Sequence, residues 1–267
     1  MNNLHSIFGK TTIRNDVVVS LTTIPTRLSV LEPCIRSLIN QSVKPDKVLL
    51  WLCEDGYFGR NAISRDSVPE TISQYQQDGL VIKWTKNIGP FTKLIPSLTL
   101  FGSKKIVTAD DDTIYPKKWL KGLLRVSDGH PGNIVCYRGS RMVMNNGKLE
   151  PYNDWPEFIS KNSSLWLFPT GKDGVLYPPG VLSKEVFNED VFKKLTPFAD
   201  DVWFKAMSLL NGTSCKKIAS VHRDYQVIKG SGQVELQTDN VGGNKNDEYL
   251  QRVFDKYELF DLLNGQY

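Results

Sequence analysis

The chain has 267 residues, 40% hydrophobic and 23% charged, and its 33 Lys and Arg against 29 Asp and Glu give a formal net charge of +4. That is enough for one large α/β domain, or a domain with a small appendage, around a sizeable core. The balance is too mild, and the bases too scattered among acids, for a nucleic-acid binder, so no nucleic-acid partner is expected; a modest positive bias suits a diphosphate substrate or an anionic membrane surface.

In chain order, Val17-Val18-Val19-Ser20-Leu21 reads as a buried strand, followed by the loop Thr22-Thr23-Ile24-Pro25-Thr26-Arg27. Leu28, Leu31, Ile35, Leu38 and Ile39 recur at a helical period over 28–40. A second strand, Lys47–Cys53, ends at Glu54-Asp55-Gly56. The spacing predicts a helix over 69–78, a strand over 80–84, a helix over 91–101, a strand over 105–109 and a helix over 116–127. This β-α-β succession predicts a largely parallel sheet covered by helices, with sites on the loops after strands. The second half differs. Residues 134–137 and 141–144 read as a hairpin, and 146–174 is aromatic and turn-rich without a period. A helix begins near Asp200-Asp201, acids placed to suit its dipole. Residues 220–243 are polar and glycine-bearing. The tail over 246–263 reads as an amphipathic helix with Leu250, Val253, Phe254 and Tyr257 on one face.

The stretch Ile106-Val107-Thr108-Ala109-Asp110-Asp111-Asp112 carries the most information. An apolar run ends in three carboxylates, which repel one another and resist leaving water. A hard divalent cation relieves that conflict by taking carboxylate oxygens. Residues two apart at a strand end point the same way, so Asp110 and Asp112 can share one ion. A metal bridge to a phosphate-bearing substrate at the carboxyl end of a strand is the simplest reading.

This acid cluster, followed by Tyr115-Pro116, resembles the DxD motif of GT-A fold glycosyltransferases. The segment Ser20–Asp55 resembles that fold's opening nucleotide-binding unit. PPGVLSKEVF over 178–187 with ADDVWFKAM over 199–207 resembles its acceptor-side loop and second acidic motif. The order NIGPFTKL, IVTADDDTIYP, ADDVWF is similar to that of the bacterial capsule α-N-acetylglucosaminyltransferase that builds heparosan, and of the exostosin-like transferases. The likeness spans roughly residues 16–230. It implies an α/β fold of the GT-A, Rossmann-like kind: a mixed, mainly parallel sheet flanked by helices, with an antiparallel, loop-rich acceptor side. Residues 1–245 would form that domain, with a nucleotide half over about 16–130 and an acceptor half over about 131–245, and 246–267 would be a C-terminal helix.

The resemblance also implies roles. Asp110 and Asp112 would hold Mn²⁺ or Mg²⁺ on the diphosphate of a nucleotide sugar, expected to be UDP-linked, with Asp110 and Asp111 also in the donor site. Thr22, Pro25 and Arg27 would line the base and ribose pocket, Glu54 would sit near the nucleobase, and Lys93 close to the donor diphosphate or sugar. Asp200 or Asp201 would face the transferred sugar or the acceptor hydroxyl. His222 would be a third metal ligand and Arg223 would reach the phosphates, although here His222, Arg223 and Asp224 stand together. The transfer implied is retaining, onto a hydroxyl of a polysaccharide or glycolipid, with an inverting transferase as the alternative.

The chemistry suits these residues. Cations stabilise the charge on a departing nucleoside diphosphate, and a carboxylate can deprotonate the acceptor, a role worth about 10²–10⁴-fold. Tyr152, Trp155, Trp166 and Tyr177 could stack on sugars, and Lys229-Gly230-Ser231-Gly232 could close over the donor. A dehalogenase-type phosphatase needs Asp-x-Asp-x-Thr/Val, but Ile114 stands at the last position. A nucleotidyltransferase needs a glycine-rich loop that TTIPTR lacks. An inactive sugar-binding domain is the non-enzyme alternative, and turnover of a nucleotide sugar separates the two. Cys34, Cys53, Cys136 and Cys215 form no C-x-x-C pair, which favours a reducing compartment over zinc or disulfides. With no signal peptide and no apolar run near ~18 residues, a cytoplasmic location is expected. Peripheral contact with the inner membrane face, or a dimer, would use the C-terminal helix.

Overall fold

In a computed structural model, which describes residues 12–56, 62–219, 222, 224–232 and 245–264, the chain forms a seven-stranded mixed sheet. The strands are β1 (Thr12–Thr22), β2 (Val43–Leu52), β3 (Leu80–Trp84), β4 (Lys105–Thr108), β6 (Ile134–Cys136), β11 (Val175–Tyr177) and β12 (Cys215–Lys217), in the spatial order β12-β6-β11-β4-β1-β2-β3. β11 is antiparallel to both neighbours, and the other pairings are parallel. Short strands β5 (Thr113–Ile114), β7 (Gly139–Arg141), β8 (Met144–Asn145), β9 (Lys148–Leu149), β10 (Leu167–Pro169) and β13 (Gln226–Val227) form three two-stranded ladders beside it.

Strand alternation sorts the apolar residues into two cores. Val17, Val19 and Leu21 of β1 join Val48, Leu50, Val107 and Leu176 on one face, under α1 (Glu32–Ile39) and α4 (Trp119–Gly129). Val18, Leu49, Trp51, Ile106 and Val175 face the other core, with α5 (Glu189–Leu195) and α6 (Asp200–Leu210). A strand buried on both faces reads as a continuous apolar run, which is why 17–21 and 47–53 were legible. The paired extensions Thr12–Arg14 and Val43–Pro45 carry no apolar run and gave no signal.

The predicted hairpin does not form. Ile134–Cys136 enters the central sheet between β11 and β12, whereas Gly139–Arg141 pairs antiparallel with Leu167–Pro169. The swap uses Gly139, where a Cβ would stand 2.7 Å from the Phe168 carbonyl oxygen and 2.5 Å from Leu167 Cδ1. The expected helix over 69–78 is a short α2 (Glu70–Ser73) continued as a 3₁₀ turn to Asp78, and Gly79 ends it at φ 106°. α3 covers Ile95–Phe101. The C-terminal helix is two, α7 (Lys245–Tyr257) and α8 (Leu259–Asn264), broken at Glu258 with φ 53°. Val253, Phe254, Leu259 and Leu263 are fully buried in the core that α6 lines.

β1 leads outward through β2 and β3, after which the chain returns to β4 on the other side of β1. Strand order therefore reverses between β1 and β4, a switch point beyond whose carboxyl ends such sheets bind ligands. Phe254→Ala should lower unfolding stability by about 3–5 kcal/mol, read as a lower urea midpoint; a change below about 1 kcal/mol would mean that α7 is not part of the core.

Candidate active site

β4 runs straight into Asp110-Asp111-Asp112, and the fold gives the three carboxylates different work. Asp111 turns inward. Its oxygens accept from Thr23 Oγ1 at 2.6 Å and Arg27 Nη1 at 2.5 Å. Burial raises its pKa, and Arg27 and Thr23 only partly offset that push. Both oxygens are thus occupied in tying the loop after β1 to the loop after β4. Asp110 and Asp112 are more open, their side chains each 26% exposed. Asp112 meets Arg27 at 3.3 Å and accepts from Thr113 Oγ1 at 3.1 Å. Burial, then repulsion from Asp110 and Asp111, raises its pKa. Asp110 meets Lys93 Nζ at 3.4 Å.

The loop after β1 supplies the counter-charge. Thr22 Oγ1 points away and donates to the Trp51 carbonyl at 3.0 Å, so the next residue, Thr23, faces the acids. Pro25 opens a 3₁₀ turn, Pro25–Val30, that carries Arg27 inward. Arg27 Nε also donates to the Ser231 carbonyl at 2.9 Å, and the Ile228 amide donates to the Asp112 carbonyl at 2.7 Å. β13 pairs with β5, so the glycine-bearing stretch lies against the acid loop.

Lys93 joins the two halves of the site. Its ammonium stands 3.1 Å from Asp200 Oδ2 as well as beside Asp110. Burial disfavours its charge, but Asp200, Asp110 and Asp201 outweigh that and raise its pKa well above the usual lysine range. A buried relay fixes its backbone: Trp51 Nε1 donates to Ser97 Oγ at 2.8 Å, Ser97 lies 2.7 Å from Ser20 Oγ, and Ser20 donates to the Lys93 carbonyl at 2.6 Å. Asp201 Oδ2 accepts from the Gly171 amide at 2.9 Å. Burial and the neighbouring Asp200 push Asp201 up to about 7, and burial likewise raises Asp200 against the pull of Lys93. Gly171 lets both groups come close, because a Cβ there would stand 2.8 Å from Asp201 Oδ1 and 2.9 Å from Lys93 Nζ and would push those side-chain ends aside.

The site thus brings together Arg27, Lys93, Asp110, Asp111, Asp112, Asp200 and Asp201, with Pro25 as scaffold. Other expected members make contacts of their own. Glu54 forms an exposed pair with Arg65 at 2.6 Å. His222 Nε2 lies 2.9 Å from Asp173, which is fully buried, and its ring packs on Tyr137 and Tyr225. Arg223 lies outside the described residues. Trp155 and Tyr177 are buried, Trp155 among Tyr152 and Phe168, so their faces serve the core. Thr23, Gly171 and the Ser20–Ser97 relay were missed. For Thr23 the period-2 alternation of a strand end was the available signal; nothing local marked the others.

Among the described residues no three His, Cys, Asp or Glu side chains converge to hold a metal ion. Two open carboxylates do fit one: Asp110 and Asp112 offer hard oxygen donors in looser contacts than those of Asp111, and Mg²⁺-like ions use one or two carboxylates plus substrate phosphates.

No family model and no curated protein sequence matches the chain. Among solved structures, Staphylococcus aureus TarS 1–349 in complex with UDP-GlcNAc is similar at 14% identity and a TM-score of 0.50, covering 91% of this chain and 73% of that one. TarS 1–349 in complex with UDP is 15% identical with a TM-score of 0.49, covering 79% of this chain and 59% of that one. A further structure of TarS 1–349 is 16% identical with a TM-score of 0.48, and this chain spans 59% of its length. The likeness to the UDP-GlcNAc complex agrees with the sheet in defining a GT-A-like fold.

Two outcomes test this geometry. Arg27→Met leaves the buried Asp111 carboxylate without its cation and should cost about 3–5 kcal/mol, whereas Arg27→Met with Asp111→Leu should recover most of it; equal losses in denaturant titrations would show that the pair is not a unit. Asp201 has a folded pKa of about 7, above its unfolded value. Its protonated form therefore favours folding at low pH, and that contribution is lost as pH rises from about 4 through 7. Asp201→Asn should accordingly stabilise the protein by roughly 1–3 kcal/mol at pH 8 and by little below pH 4, measured as melting temperature against pH.

Proposed function

We propose that this protein is a glycosyltransferase that moves a sugar from a nucleotide sugar, most simply a UDP-sugar, to a hydroxyl of an oligosaccharide or glycolipid acceptor. The observation that carries the proposal is the pair of partly exposed carboxylates, Asp110 and Asp112, at the β1/β4 switch point, with a buried lysine linking Asp110 to a second carboxylate pair. The similar TarS structures hold UDP and UDP-GlcNAc, which supports the donor class.

A divalent cation on Asp110 and Asp112 would neutralise the donor diphosphate when bound. Lys93 adds a fixed positive charge beside the same position. Because Asp110 and Asp200 already orient it, it needs little reorganisation as charge develops on the leaving group. Arg27 and Thr23 keep the acid loop in place through Asp111. Asp201 lies one residue from Asp200 and is held by the Gly171 amide. A carboxylate poised near neutrality suits removal of the acceptor proton.

That poise would serve inversion at the anomeric carbon, the second reading, beside the retention implied by the motif resemblance. The anomeric configuration of the product, read by NMR, separates the two.

The function is tested by thermal shift with UDP, GDP, CDP and dTDP, each with and without Mn²⁺. A rise with UDP that depends on Mn²⁺ and disappears in Asp112→Ala is expected, since a ligand that binds only the folded state stabilises it by mass action. No rise with any nucleotide overturns the donor assignment. Asp201→Asn should lower kcat by about 10²–10⁴-fold with the donor KM little changed, and full turnover in that variant would remove Asp201 from the chemistry.

A further inference from the structure

We propose that the exposed face of α4 docks the protein on an anionic lipid bilayer. α4 buries Trp119, Leu120, Leu123, Leu124 and Ser127. Its opposite face presents Lys118, Lys121 and Arg125 at i, i+3 and i+7, with Lys117 just ahead of it, all four exposed. None of the four has an acidic partner among the described residues. Asp128 continues the stripe, but Arg14 at 2.8 Å and Lys105 at 2.5 Å occupy its carboxylate. A helix period has therefore gathered cations that the sequence spreads among apolar residues.

The surroundings extend the patch. The Ser42 amide donates to the Lys117 carbonyl at 2.8 Å, which brings the start of β2 alongside. Lys44 follows there and also lacks an acidic partner among the described residues. Opposite Lys44 in the β1–β2 ladder stands Ile13, 59% exposed. Cations aligned along one exposed helix face complement a planar anionic surface. Near an anionic leaflet each Lys or Arg adds about 1 kcal/mol to binding, and clusters of four to eight on a helix read as anionic-lipid sites.

The inference does not depend on the glycosyl-transfer reading. It does place the acid loop, four residues ahead of Pro116, next to the bilayer. The test is flotation of the full chain with vesicles of phosphatidylcholine alone, or with about a third phosphatidylglycerol, at low and high salt. The wild type should float with the anionic vesicles only, and high salt should release it. K117E/K118E/K121E/R125E should lower the partition coefficient by roughly 10²–10³-fold. K83E/K148E/K184E/K194E makes the same change in net charge away from α4 and should retain binding. No flotation of the wild type, or equal losses in both variants, overturns the proposal. So does an α4-dependent affinity for a soluble acidic polysaccharide such as heparin without any for vesicles. UDP binding in the α4 variant, read separately, keeps this result distinct from the fate of the functional reading.

Discussion

The buried ammonium of Lys93 is the contact on which the site depends. It lies between Asp110, at the end of β4, and Asp200, at the start of α6, and so joins the strand-end acids to the helix that carries the second acid pair. Burying a lysine is unfavourable, and here the surrounding carboxylates outweigh the cost. The arrangement is held from below by the Trp51–Ser97–Ser20 relay, every member of which is buried and bonded. A fully satisfied polar network of this kind fixes one geometry, because any shift would leave a polar group stranded in the core.

The charge problem posed by three consecutive aspartates is solved by division of labour. Asp111 is spent on structure, clamped by Arg27 and Thr23, while Asp110 and Asp112 remain partly open. Two protein cations, Arg27 and Lys93, thus balance part of the negative charge, leaving a site that can still receive a divalent ion with a diphosphate. On the far side, Asp200 and Asp201 sit at the positive end of α6, which favours their charge, whereas burial and mutual repulsion oppose it. The second influence is the larger, and Asp201 is left near neutrality.

Much of this was legible in the chain. The β-α-β succession, the acid cluster at a strand end and the acids at the start of α6 follow from apolar periodicity and from charge placed where no fold needs it. Lys93 and Arg27 could be named, but their partners could not. Arg27, expected in the nucleotide pocket, holds Asp111. His222, expected as a metal ligand, has its Nε2 beside Asp173. The two strands read as a hairpin belong to different ladders, because short buried strands carry apolar character without any mark of which neighbour they will choose.

By itself, then, the sequence determined the fold class and the loops on which chemistry could occur. Both depend on local period and local charge, which act over a few residues. The tertiary structure decided which carboxylate is pinned and which are open, and that Lys93 bridges the halves. It also decided that Gly171 packs against the ends of Asp201 and Lys93, and that α4 aligns its cations on an outer face. Those outcomes rest on contacts between residues distant in the chain, 84 positions apart for Arg27 and Asp111, and on burial that sets how strongly each charge is felt. Neither separation nor burial is written at any single position.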